Sequence, residues 1–147
     1  MLVSIIGGSK TQKKYAQSIV EYCASSLMPR MTTLDISLHL CKPDGALGYC
    51  LETDDNRTFE IEIDKTQSLR DVLITICHEM VHVKQYARGE LYESTRKGMH
   101  RWKGSWIKKD PNYWDQPWEI EAMGRELGLF VKWVEKENLA KYKWTQI

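Results

Sequence analysis

Ser68-Leu69-Arg70-Asp71-Val72-Leu73-Ile74-Thr75-Ile76-Cys77-His78-Glu79-Met80-Val81-His82-Val83-Lys84-Gln85-Tyr86-Ala87-Arg88-Gly89 is the stretch on which the reading of the chain turns. From Ser68, apolar residues Leu69, Val72, Leu73, Ile76, Cys77, Met80 and Val81 recur at intervals of three and four, the stripe of an amphipathic helix ending near Gly89. Within it stands His78-Glu79-Met80-Val81-His82. Histidines four apart on a helix project from one face, one turn above each other, so both imidazoles reach a single zinc ion. The intervening Glu79 leans toward the open coordination position, where it can take the proton of a bound water. The plain alternative, two surface histidines beside an incidental glutamate, gives a mid-helix pair little purpose.

Zinc wants a third protein ligand. The metzincin extension is excluded, because Gln85 stands where its glycine would fall and Arg88 where its third histidine would. His100, Glu119 and Glu121 remain. Pro117 opens another helix, with Ile120, Met123, Leu127, Val131 and Val134 as its expected apolar face. With Leu127 at the centre, Glu119 lies about 80° off and Glu121 about 120° off. The margin of the packed face suits Glu119 better, and Ala122 lets two helices approach; Gly124 does the same for Glu121. His100 belongs to a basic stretch, Arg96 to Lys109, that interleaves tryptophans with cations as single-strand binders do, though a solvated loop anchored by its indoles is the preferred reading. Tyr113 is either a donor to a tetrahedral oxyanion or a phenol packed in the core.

Toward the N-terminus, Leu2–Ile6 reads as a strand or extended arm, followed by a helix from Ser9 or Thr11 to about Ser26. Leu34, Ile36, Leu38 and Leu40 alternate with polar residues, as do Phe59, Ile61 and Ile63, with a short strand around Ala46–Glu52 between them. Turns at 42–45 and 54–57 suggest an antiparallel meander. Residues 90–116 read as loop, and the tail from Glu135 either extends the last helix or frays.

The 147 residues fit one domain, 1–147. A net charge of +1 excludes a surface that is wholly a nucleic-acid or membrane electrode. No apolar run is long enough to span a bilayer, and the first ten residues lack a basic region and a long apolar one, so a cytoplasmic protein is expected. Cys23, Cys41, Cys50 and Cys77 form no C-x-x-C and are expected as free thiols.

His78–His82 followed by Pro117-Trp118-Glu119-Ile120-Glu121-Ala122 resembles the gluzincin clan of metallopeptidases, above all the minigluzincins and short phage- or prophage-type zinc peptidases. The resemblance, over roughly residues 32–135, implies that Glu119 binds zinc, that an edge strand pairs with extended peptide, and that the setting is phage-associated. It departs at Met123, where many gluzincins carry Asp or Asn to orient a ligand histidine. A rival resemblance is to SprT-like peptidases, in which His100 would be the third ligand. The expectation is therefore an α+β protein: a small antiparallel sheet on an N-terminal helix, the H-E-x-x-H helix and a glutamate helix. It would hold one zinc per chain through His78, His82 and Glu119, with Glu79 as the base that hydrolyses a peptide or protein substrate. The alternatives are a zinc-stabilised interaction module without turnover, or a DNA-recruited peptidase that contacts nucleic acid through residues 96–109.

Overall fold

The computed structural model describes residues 1–94, 98–108 and 112–147 and is a mixed α+β fold. It begins with strand β1 (Leu2–Gly7), helix α1 (Lys10–Leu27) and strand β2 (Asp35–Cys41). Ser9 caps α1, its hydroxyl accepting from the Gln12 N–H while the Gln12 side chain returns a bond to the Ser9 N–H. β3 (Gly48–Glu52) and β4 (Thr58–Asp64) follow, then helix α2 (Leu69–Ala87), capped by Ser68.

The first sheet is not the expected antiparallel meander. Its order is β1-β2-β4-β3, with β1 and β4 parallel to β2 and only β3 antiparallel, paired to β4. From β2 through β3 to β4 the direction alternates as short turns require, but β3 passes to the outside. Burial explains the choice. Ile36, Leu38 and Leu40 on β2, and Phe59, Ile61 and Ile63 on β4, point every second side chain into the core, and adjacency merges the two rows. β3, with Tyr49 and Leu51 exposed, has little to offer the centre. α1 and α2 cover this sheet on its apolar face.

Nor is 90–116 a loop throughout. Its described residues form β5 (Leu91–Ser94), β6 (Met99–Trp102) and β7 (Ser105–Lys108), a three-stranded antiparallel sheet. Lys103 and Gly104, both at positive φ, make the two-residue turn between β6 and β7. Arg96, Lys97 and Lys109 of the basic stretch lie outside the described residues. A 3-10 turn (Tyr113–Asp115) leads into α3 (Pro117–Lys136), which packs along α2.

α3 turns a different face inward from the one expected. Ala122, Leu129, Phe130, Trp133 and Val134 are buried, whereas Ile120, Leu127 and Val131 are exposed. The tail neither extends α3 nor frays. Leu139 and Thr145 are buried, the Trp144 ring lies 5.3 Å from that of Tyr15, and Arg70 donates to the Gln146 carbonyl. All four cysteines are free thiols, Cys23 and Cys77 fully buried between α1 and α2. No helix among the described residues is long and apolar enough to cross a membrane.

Candidate metal centre

α2 is the middle helix of the protein, flanked by α1, α3, β3 and β4. That position is why His82 and Glu79 are buried although polar. The imidazoles of His78 and His82 meet edge to face one turn apart, their centroids 5.0 Å from each other. α3 brings Glu119 across from them. Its Oε2 lies 3.1 Å from His78 Nε2 and its Oε1 lies 3.1 Å from His82 Nε2. One ligand atom from each of the three lies within 4.8 Å of the others, so His78, His82 and Glu119 could together hold a metal ion. A tetrahedral zinc with ligands about 2.0–2.1 Å away needs donor separations of about 3.3 Å, which the two His–Glu distances approach.

The donor set passes a second test. Each histidine must present Nε2 and have its other nitrogen fixed. His78 Nδ1 lies 2.6 Å from Glu126 Oε2, and His82 Nδ1 lies 2.8 Å from Gln85 Oε1. Gln85 is itself held, donating from Nε2 to the Trp118 carbonyl at 2.9 Å and to Glu121 Oε1 at 3.0 Å. Glu126 thus does what Met123 does not. It stands seven residues after Glu119, two helical turns further along the same face. That spacing was the signal in the sequence, as was Gln85 three residues after His82.

Glu121 and His100 lie apart from this cluster. Glu121 turns behind it to Lys84 Nζ at 2.8 Å, and Arg125 approaches it at 3.4 Å. His100 stacks on Trp118, centroids 4.6 Å apart, with Nε2 3.2 Å from Glu93 Oε1. Tyr113 is not a core phenol: it is half exposed, and its hydroxyl donates to Glu119 Oε2 at 2.5 Å. Of the four clustered tryptophans, Trp118 is buried and lines the cleft, while Trp114 is the most exposed.

Within the cluster, carboxylates and imidazoles hold one another in their charged forms. Burial alone would lower the His78 pKa, but hydrogen bonds to Glu119 and Glu126 prevail and raise it to about 10. His82 is raised in the same way, against burial, by Glu119. Burial would raise Glu119, yet its bonds to His78, His82 and Tyr113 hold it well below the usual carboxylate range. Glu79 is pushed up, chiefly by burial.

A cleft in two compartments crosses the centre. One, on the His82 side, is lined by Tyr49, Tyr86, Leu91, Glu93 and Trp118; the other, on the His78 side, by Leu47, Ile74, Thr75 and Glu126. Ala46, Gly48, Glu79 and Tyr113 border both. Gly48, unremarked in the sequence, begins the outer strand β3 directly over Glu79: a Cβ there would lie 3.1 Å from Glu79 Oε1 and 2.9 Å from Thr75 Cγ2. No family model, curated protein or solved structure matches the chain. The likeness to gluzincins thus extends no further than the residues that suggested it.

Proposed function

We propose that the protein is a zinc-dependent peptidase, with His78, His82 and Glu119 as metal ligands and Glu79 as the catalytic base. The observation that carries this is the setting of Glu79. It is buried between the two histidines, borders both compartments of the cleft, and makes no hydrogen bond among the described residues. A glutamate kept only for structure would be tied to a donor.

Zinc held by this trio supplies Lewis-acid polarisation of a peptide carbonyl and makes a water molecule more acidic. Glu79 takes a proton from that water as the new C–O bond forms, and delivers it to nitrogen as the C–N bond breaks. Its raised pKa suits both halves of the transfer. Tyr113 stays protonated, because burial and Glu119 both raise its pKa; its one proton is given to Glu119 in this structure, and it would serve the oxygen on which charge develops by turning from that carboxylate. Glu126 and Gln85 keep the two imidazoles oriented. β3, as an outer strand above the centre, suits an extended peptide laid alongside it.

Zinc-loaded protein is expected to cleave members of a quenched peptide library, and Glu79→Gln to lower that rate at least about 100-fold while zinc content stays at one per chain. Cleavage unaffected by Glu79→Gln would overturn the assignment of the base. A zinc-loaded, monodisperse wild type that cleaves nothing would favour an interaction module without turnover.

A further inference from the structure

The two compartments of the cleft differ in chemistry. The His78 side is walled by Ala46, Leu47, Ile74 and Thr75; apart from Glu79, which it shares with the other compartment, its acid is Glu126, engaged by His78. The His82 side, about 400 Å3, has aromatic walls from Tyr49, Tyr86 and Trp118 and a carboxylate, Glu93, at its border. No lysine or arginine lines either compartment among the described residues. The cations of the neighbouring sheet turn elsewhere: Arg101 lies over the rings of Tyr92 and Trp106, and Lys103 over Trp102.

Glu93 is held in place. Tyr86 donates its hydroxyl to Oε1 at 3.3 Å, and His100 Nε2 approaches the same oxygen at 3.2 Å. His100 is fixed in turn by its stack on Trp118, itself a wall of the compartment. Both contacts fall on one oxygen of a carboxylate whose side chain is 52% exposed. A group so placed keeps much of its hydration, with an edge still open to a donor. Long basic side chains suit such a compartment, since their methylene stems lie on aromatic rings while the cationic head meets a carboxylate. An acidic side chain would meet Glu93 with Glu79 and Glu119 close behind it.

We propose that the His82-side compartment selects a lysine or arginine side chain of the peptide substrate, with Glu93 as the carboxylate that receives it and His100 as the residue that positions Glu93. This rests on the peptidase reading and names its substrate class. The test uses zinc-loaded Glu79→Gln protein, which retains peptides uncleaved, and calorimetry with peptides that differ at one scanned position by Lys, Arg, Leu or Glu. At one position, Lys and Arg should bind at least about tenfold more tightly than Glu. That is the swing expected when an attraction worth up to about fivefold becomes a repulsion of similar size.

Adding Glu93→Gln should abolish most of that preference, and Glu93→Lys should reverse it. His100→Phe, which keeps a ring on Trp118 but loses the bond to Glu93, should reduce the preference without loss of zinc. Equal binding of all four peptides, or a basic preference that survives Glu93→Gln, overturns this assignment and leaves the peptidase reading standing. If no peptide binds protein whose zinc content is confirmed, both fall together.

Discussion

Glu79 and Glu119 border the same cleft, and their surroundings push their protonation equilibria apart. Burial without a donor raises Glu79, whereas two imidazoles and a phenol lower Glu119 against its burial. Such divergence separates a proton carrier from a permanent anion. Two further glutamates of α3 differ again. Glu126 touches His78, whereas Glu121 touches Gln85 and the cations Lys84 and Arg125 behind it. Zinc titration against a competing chelator should therefore rank three variants. Glu119→Gln should lose the most affinity, Glu126→Gln should lose about 10- to 100-fold by freeing the His78 ring, and Glu121→Gln should stay near wild type. A large loss in Glu121→Gln alone would reassign the ligand.

The metal-free protein carries a further signature at this scale. His78, with its pKa raised to about 10, is a cation in the folded apo state over a range where the unfolded chain, near 6.5, has lost the proton. A raised histidine contributes fully below the unfolded value and loses its contribution as pH climbs through the folded one. Urea midpoints of chelator-treated protein should therefore fall between pH 7 and pH 10, and fall less in His78→Gln. An unchanged slope in that variant would show that the imidazolium is not the source.

At the scale of elements, β3 is the sensitive one. Its Gly48 touches Thr75, Glu79 and Ile63 so closely that an added methyl must move the strand or the glutamate. Gly48→Ala should lower kcat/KM about tenfold or more with zinc still bound, since a displacement near 1 Å costs up to about 100-fold. Full activity in that variant would show that the strand yields freely. The helices and the alternating strands were legible in the sequence because their periods are set by burial, and the capping residues Ser9 and Ser68 mark real starts. Sheet order was not legible. Short turns dictate that β3 runs opposite to its neighbours, but which strand lies at the edge depends on tertiary packing of Phe59, Ile61 and Ile63 beside Ile36 and Leu38. The four-residue strands β5–β7 hid among charges, with Lys103-Gly104 the local clue. On α3, Leu127 proved to face solvent. The structure therefore brings Glu119 to the two histidines although not by the face from which that was argued, because Glu119, Ala122, Glu126 and Phe130 share the true inner stripe.

For the molecule as a whole, an apolar core of buried side chains runs through α1, β2, β4, α2 and α3. Chelation should leave such a fold intact but less stable. At a free zinc concentration about 1,000 times its dissociation constant, binding contributes about 4 kcal/mol. For a chain of this size, that corresponds to a drop on the order of 10 °C in thermal midpoint when the metal is stripped. Circular dichroism melts with and without chelator measure it. Unfolding at 25 °C on chelation would instead mark the metal as structural and shift weight to the interaction-module reading.

The side chains of the cluster come from helices far apart in the chain: His78 and Glu119 are separated by 41 residues. During synthesis from the N-terminus, the histidine pair and Glu79 leave the ribosome well before α3 does. Until α3 docks, the nascent chain holds two side chains of the cluster and lacks Glu119, Tyr113 and Trp118. Under the peptidase proposal, hydrolytic competence would be deferred to the last steps of assembly, and an incomplete chain would be a poor threat to its neighbours on the polysome.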